Sequence, residues 1–149
     1  MGRKYIASGD IATWTAAGDV VELIAPSTAI VIVHAFWLHQ STSETDDSCS
    51  LLLSRVGTSG SGGGAITATP TEVGDSAFGG TVEEGNTTDS SGNTVLYNWG
   101  ISLLAVFEKI WTPEMRPVIS PSGAIVLTTG DAVSSVTLEW GIEFEEVGT

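Results

Sequence analysis

Apolar and polar residues alternate with a period of two along much of the chain, a pattern typical of half-buried β-strands. The clearest alternation runs from Val136 to Phe144, where single Thr, Glu or Gly residues separate five apolar residues. A second alternation begins at Val95 and continues to Phe107, and its last residues are apolar on both faces. Both segments predict strands with one face in a core and the other in water.

The segment from Ala29 to Leu38 is apolar throughout except for His34, and it is rich in β-branched residues. A strand of this kind needs cover on both faces, with a core on one side and another surface on the other. Its ten residues are about half of what a membrane-spanning helix requires. We therefore expect a strand here, part of which lies at a subunit interface.

Shorter apolar runs predict further strands, and Gly-Asp pairs separate several of them at positions that suit turns. The runs are Tyr5 to Ser8, Ile11 to Ala16, Val20 to Ile24, Leu51 to Val56 and Ala124 to Thr129. Many short strands separated by turn residues predict an all-β fold, an antiparallel β-sandwich or jelly roll. We expect a single domain over residues 1–149.

Only one short segment favours a helix, and two segments read as loops. Pro113 suits a first helical position, but Pro117 limits this segment to about one turn. Residues 57–64 are rich in glycine and predict a flexible loop, and residues 84–93 predict a long polar loop. Residues 1–10 are interpreted as an N-terminal arm, and no internal repeat is evident.

Charge narrows the range of partners. The chain has 18 acidic and 5 basic residues, a formal net charge of -13 at pH 7. Nucleic acids and anionic membranes bind clustered Lys and Arg, so we expect neither as a partner. The start of the chain lacks the apolar run of a signal peptide, and Cys49 is the only cysteine, so we expect a soluble protein made in a cytoplasm.

Candidate chemistry is sparse. His34 and His39 are the only histidines, so a hydrolase would need one of them beside Ser or Asp in a cleft. Calcium could bind the acidic runs 44–47 and 143–146, and a glycosidase could use Glu83-Glu84 and the C-terminal glutamates as its carboxylate pair. Each pattern is more typical of a solvated face or a structural histidine. We therefore expect no catalytic residue, no metal and no cofactor.

The five tryptophans leave a carbohydrate-binding alternative open. Trp99 and Trp140 lie on apolar strand faces, which favours a place in the core for both. Trp14 and Trp111 are the candidates for exposed rings on which a sugar could stack.

Several segments, in this order, resemble the head decoration or cement proteins of tailed bacteriophages, which have a jelly-roll-like body. The resemblance spans most of the chain, and its segments are His34 to Ser41, Leu51 to Arg55 before the Gly-rich loop, Thr69-Pro70, Gly74-Asp75, Thr81 to Glu83, Asn86 to Thr88, Trp111 to Pro117 and the closing strand to Glu146. The resemblance implies a trimer on the capsid surface of a virion. It also implies the major capsid protein as partner and a role in reinforcing the capsid, with synthesis in the host cytoplasm. It assigns no functional residue.

The sequence itself favours self-association, because one sandwich interior does not easily hide a strand that is apolar on both faces. We expect a homo-oligomer, a trimer by the resemblance, and a basic N-terminal end that contacts a partner. The expected capsid or subunit contacts are Arg3, Lys4, Tyr5, Ile30, Ile32, Trp37, Trp111 and Arg116. A carbohydrate- or receptor-binding virion module is the alternative function, and a β-sandwich hydrolase is a third.

Overall fold

The computed structural model describes residues 2–41 and 47–148, which form two antiparallel sheets packed face to face. The prediction of an all-β sandwich is confirmed. A single turn of 3-10 helix spans Pro113–Met115, where the sequence predicts one turn. The strands are β1 (Arg3–Trp14), β2 (Gly18–Ile24), β3 (Ala29–Gln40), β4 (Ser48–Arg55), β5 (Gly64–Ile66), β6 (Thr69–Pro70), β7 (Thr81–Glu84), β8 (Thr94–Ser102), β9 (Phe107–Ile110), β10 (Val118–Ile119), β11 (Ala124–Thr129) and β12 (Val136–Gly148).

The first sheet, called sheet A, has the strand order β10-β3-β12-β1-β6, and β9 also pairs with β3. Its three long strands pair in register, so that Tyr5 lies beside Phe144 and Phe144 beside Val33. Neighbours across an antiparallel ladder point to the same face. This row points into the sandwich, where all three side chains are buried.

The second sheet, called sheet B, has the strand order β5-β7-β2-β11-β4-β8. Its inward residues pack against those of sheet A in one apolar cluster, to which Leu51, Leu53 and Leu127 contribute. Cys49 belongs to the same cluster, as a buried free thiol. Each large apolar side chain buried in this way stabilises the fold by about 1.5–3 kcal/mol.

Burial along β3 follows the two-sided pattern that its sequence predicts. Ala29, Val31 and Val33 are fully buried, whereas the alternate residues Ile30 and Ile32 are half buried on the outer face of sheet A. The core therefore covers one face of β3 completely, and the outer face remains accessible in part.

Two expectations about local structure are wrong. Residues 3–14 form β1 and pair with β12, so residues 3–10 do not make an arm. The predicted strand from Val95 to Phe107 ends with β8, because Leu103 lies in a turn. Its backbone N–H donates a hydrogen bond to the carbonyl of Asp47, and its carbonyl accepts one from the N–H of Gln40. Leu103 is buried by this turn, and the chain then crosses from sheet B to sheet A.

Candidate interaction surface

Exposed apolar side chains concentrate on one side of the sandwich. Of the eight large apolar residues exposed in the described part of the chain, six lie between residues 95 and 118. Their exposed fractions range from 49% to 66%. We call this group the apolar side, and its members are Val95, Leu104, Val106, Ile110, Met115 and Val118.

The apolar side differs from the rest of the molecule in charge as well. Between residues 95 and 118 the acidic Glu108 and Glu114 are balanced by the basic Lys109 and Arg116. The negative excess of this chain, with its net charge of -13, therefore lies elsewhere in the sequence. Monomeric proteins rarely expose contiguous apolar patches larger than a few hundred Å², and patches above that size mark interaction sites.

The apolar side is also where the sandwich ends in strands that lack a neighbour on one side. β8 is the last strand of sheet B, and β9 and β10 lie beyond β3 at the border of sheet A. The rings of Trp99 and Phe107 join the two borders, with their centroids 5.4 Å apart. Tyr97 stacks on Trp99 at 5.2 Å, so aromatic contacts hold these border strands in place.

The outer face of sheet A carries four of the residues expected to make contacts, namely Lys4, Ile30, Ile32 and Trp37. The register aligns Val118, Ile32, Glu145 and Lys4 across four neighbouring strands, so that these side chains form one row on the face. Alternation places Ile30 on that face too, and Trp37 reaches it because a bulge in β3, at the register shift between Glu143 and Phe144, reverses the alternation after Val33. Exposed Val118 in this row connects the face to the apolar side.

Trp37 lies flat on the outer face because the opposite strand has no side chain there. It is paired with Gly141, and a Cβ atom built on Gly141 would lie 1.9 Å from Cζ2 of Trp37. Only glycine leaves room for the ring. The indole therefore covers the middle of the sheet and is itself half buried.

Both histidines lie on the same outer face, each beside a glutamate of β12. Nε2 of His34 is 3.3 Å from Glu145, and Nε2 of His39 is 3.1 Å from Glu139. Burial lowers the pKa of His34, and the nearby guanidinium of Arg116 lowers it further, whereas Glu145 acts in the opposite direction. Arg116 thus lies close to the row formed by Ile32, Glu145 and Lys4.

The hydrolase hypothesis gains no support from this arrangement. His34 and His39 contact carboxylates on a sheet surface, and neither is hydrogen-bonded to a Ser side chain among the described contacts. No group of three or more His, Cys, Asp or Glu side chains is placed to hold a metal ion within residues 2–41 and 47–148. The acidic run 44–47 lies outside the described residues except for Asp47.

Three residues expected to make contacts lie elsewhere. Tyr5 and Trp111 are only 1% and 3% exposed, because both rings pack in the core, so neither belongs to a contact surface of this fold. Arg3 pairs with the carboxylate of Glu146, which is almost fully buried. Burial of Trp111 also removes one of the two rings expected to stack on a sugar. The other, Trp14, is half buried and donates its Nε1–H to Thr129.

The two predicted loops pack against each other, an arrangement that the sequence did not lead us to expect. Thr58 pairs with Ser91 and Ser61 pairs with Thr88, so segments 57–63 and 87–93 run antiparallel as one loop pair. The Gly-rich loop is therefore hydrogen-bonded along its length rather than a free tether. A sequence signal exists: both segments contain Thr-x-x-Ser-Gly, at residues 58–62 and 88–92.

Two buried carboxylates on β2 hold the loop pair against sheet B. Glu22 accepts a hydrogen bond from the backbone N–H of Gly60 at 3.0 Å, and Asp19 accepts one from Ser90 at 2.6 Å. Gly60 and Ser90 occupy equivalent positions in the two segments. Asn86 donates to both carboxylates, at 3.0 and 3.5 Å. The polar loops thereby cover β2 on the outer face of sheet B.

Comparison with known proteins finds no match, since no family model, no curated protein and no solved structure is significantly similar to this chain. The described residues contain no helix with the length and hydropathy of a membrane span.

Proposed function

We propose that this chain is a non-enzymatic structural protein of a virus particle, which binds the outside of a tailed-phage head and stabilises it. The ordered resemblance to head decoration proteins suggests this role. A jelly-roll winding, synthesis in the host cytoplasm and a final location on the capsid surface are parts of the same proposal.

The observation that carries the proposal is the neutral apolar side of an otherwise acidic sandwich. Ile110, Met115 and Val118 project from the border of sheet A, next to half-buried Ile32. Burying apolar surface against a partner gains roughly 25 cal/mol per Å². Because this side has no net charge, docking on a capsid subunit needs no compensating charge. The proposed partners are the major capsid protein and further copies of this chain.

A binding assay on phage heads tests the proposal. Particles of the virus that encodes the chain are purified, and the chain is sought in them by mass spectrometry. Heads that lack the chain are then mixed with purified protein and sedimented. We expect the chain to cosediment and to raise the temperature at which the heads rupture. Absence of the chain from particles, or a chain that stays in the supernatant, would overturn the proposal.

Two matched variants locate the contact. Ile110→Asp places a charge on the apolar side, and Val73→Asp places the same charge on the fully exposed turn outside it. We expect the first variant to bind heads at least ~10-fold more weakly, because a buried unpaired carboxylate is costly, and the second to bind normally. Equal binding by both variants would exclude the apolar side as the capsid contact.

A further inference from the structure

A groove on the outer face of sheet A has the indole of Trp37 as one of its walls. Its volume is about 430 Å³, and it is lined by Ser8, Gly9, Asp10, Trp37, Glu139 and Trp140. The ring of Trp37 lies over Gly141, so one face of the indole packs on the sheet and the other face is turned away from it. The side chain is only half buried. An aromatic face beside an open groove is a surface on which a ligand can stack.

The strand register surrounds Trp37 with carboxylates from three strands. Glu108 of β9 is paired directly with Trp37. On the opposite side, β12 contributes Glu139 and Glu143, which flank the residue paired with Trp37 and point to the same face. Asp10 of β1 lies beside Glu139 in the register. We call these four side chains the acidic group, and its members are Asp10, Glu108, Glu139 and Glu143.

Most of the acidic group lacks a cationic partner. Glu139 faces His39, with Nε2 of the imidazole 3.1 Å from the carboxylate. Within residues 2–41 and 47–148, Asp10, Glu108 and Glu143 form no ion pair. Asp10 and Glu139 lie directly opposite each other across the ladder of β1 and β12, and like charges in this position destabilise a sheet. At most one imidazolium therefore faces four carboxylates, and the surface around the indole is negative.

We propose that this groove binds an arginine side chain of a protein partner, with the guanidinium stacked on the indole of Trp37 and its N–H groups donating to Asp10 and Glu139. Charge complementarity selects a cation as the occupant, because the acidic group repels anions and a neutral group leaves its charge unpaired. Arginine fits better than lysine. Its planar guanidinium can stack on an aromatic face and at the same time present a fork of N–H donors to carboxylates beside the ring.

A neutral sugar matches the lining of the groove less well. Sugar hydroxyls both donate and accept, so a sugar site needs donors as well as acceptors. The carboxylates of Asp10 and Glu139 only accept, and Nε1–H of Trp140 already donates to Glu84 at 2.8 Å. A guanidinium has donors and no acceptor, so it can use both carboxylates and leaves no acceptor of its own without a partner.

A titration followed at the indole of Trp37 tests the site. The probe is a capped pentapeptide with one arginine between glycines, and the readout is the NMR signal of the indole N–H, assigned by its loss in Trp37→Phe. We expect a saturable shift of this signal, and binding should weaken as salt is added, because the contact is largely electrostatic. The same peptide with citrulline, which is planar but uncharged, should bind at least ~10-fold more weakly.

Matched removals of one charge locate the contact. Asp10→Asn and Glu139→Gln should each weaken binding of the arginine peptide at least ~3-fold, because each removes a charged acceptor at an accessible site. Glu72→Gln removes the same formal charge from the exposed turn after β6 and should bind like wild type.

An unchanged Trp37 signal, equal binding of the citrulline peptide, or equal binding by all three variants would overturn the inference. Equal or tighter binding of a lysine peptide, or of a neutral oligosaccharide such as maltopentaose, would also overturn it. The titration contains no phage heads, so its failure leaves the proposed function intact, and failure of the sedimentation assay leaves this site intact.

Discussion

The carboxylate of Glu22, which has no solvent-exposed surface, accepts a hydrogen bond of 3.0 Å from the side-chain amide of Asn86. It also accepts the backbone N–H of Gly60, so one side chain of β2 connects to both segments of the loop pair. Buried carboxylates are costly unless donors surround them. Here the donors come from the loops, and the loops are ordered by the carboxylate in return.

Replacing Glu22 should therefore release the loop pair. We expect Glu22→Ala to lower the free energy of unfolding by about 1–3 kcal/mol, because buried donors lose their acceptor. Amide hydrogen exchange at Gly60 should become faster. Glu83→Ala is the control, since Glu83 lies beside Glu22 in the register but is half exposed, and we expect a change within about 0.5 kcal/mol. Equal losses in urea unfolding would contradict the anchoring role.

A second prediction concerns the packing of Trp37 against Gly141 on the outer face of sheet A. Gly141→Ala should destabilise the fold by about 1–3 kcal/mol, because the new methyl group overlaps the ring of Trp37. Displacement of the indole into water should shift tryptophan fluorescence to longer wavelength. Gly100→Ala is the matched control, because no heavy atom lies within 4 Å of the Cβ position there. If both variants unfold at the same urea concentration, Trp37 does not pack closely against Gly141.

Stability should depend on pH through Glu84. Burial raises the pKa of Glu84 above its ordinary value, although the 2.8 Å hydrogen bond from Nε1–H of Trp140 acts in the opposite direction. The folded state then holds the proton more tightly than the unfolded state. Stability is therefore lost as pH rises from the ordinary glutamate pKa, about 4.3, through the raised folded value.

Glu84→Gln should remove this part of the pH dependence. Unfolding by urea across that pH range should show a smaller decrease for the variant than for wild type. Glu83→Gln removes the same formal charge from the outward-facing neighbour and controls for net charge. A variant whose stability declines with pH as steeply as wild type would rule out Glu84 as the source.

The ion pair between Arg3 and Glu146 gives a fourth prediction. Arg3→Met should cost about 1–3 kcal/mol, because Glu146 stays buried and, among the described residues, keeps only the backbone N–H of Gly79 as a donor, at 3.0 Å. Adding Glu146→Gln to this variant should recover part of the loss in a double-mutant cycle. Lys4→Met, on the exposed next residue, should change the free energy of unfolding by less than about 0.5 kcal/mol. No recovery in the double variant would mean that the pair does not act as a unit.

Much of the secondary structure was predictable from the sequence, because alternation along a strand is a local property. The segment 136–144 forms most of β12, and Leu138, Trp140 and Phe144 point into the core as expected. The same reasoning could not give the pairing of β1 with β12. Register between strands more than 120 residues apart depends on what each face meets after folding.

The surface was less predictable than the strands. Ile30 and Ile32 lie on the outer face by alternation along β3, but Trp37 joins them only because of the register shift opposite Glu143 and Phe144. Trp111 occupies the core although its neighbours in sequence suggest a loop, because the chain crosses between the sheets at that point and turns the ring inward. The anchoring roles of Asp19 and Glu22 could not be inferred from the sequence, because their hydrogen-bond partners in the loops follow 71 and 38 residues later.

The amino-acid sequence by itself determined that this protein is an acidic, all-β chain, and along β12 it determined which side of the strand is apolar. These properties follow from composition and from the fixed alternation of side chains along a strand. Tertiary structure alone decided which polar side chains are buried and which apolar ones reach the surface. The reason is physical: alternation assigns a side chain to a face, but only the packing of distant segments determines what covers that face.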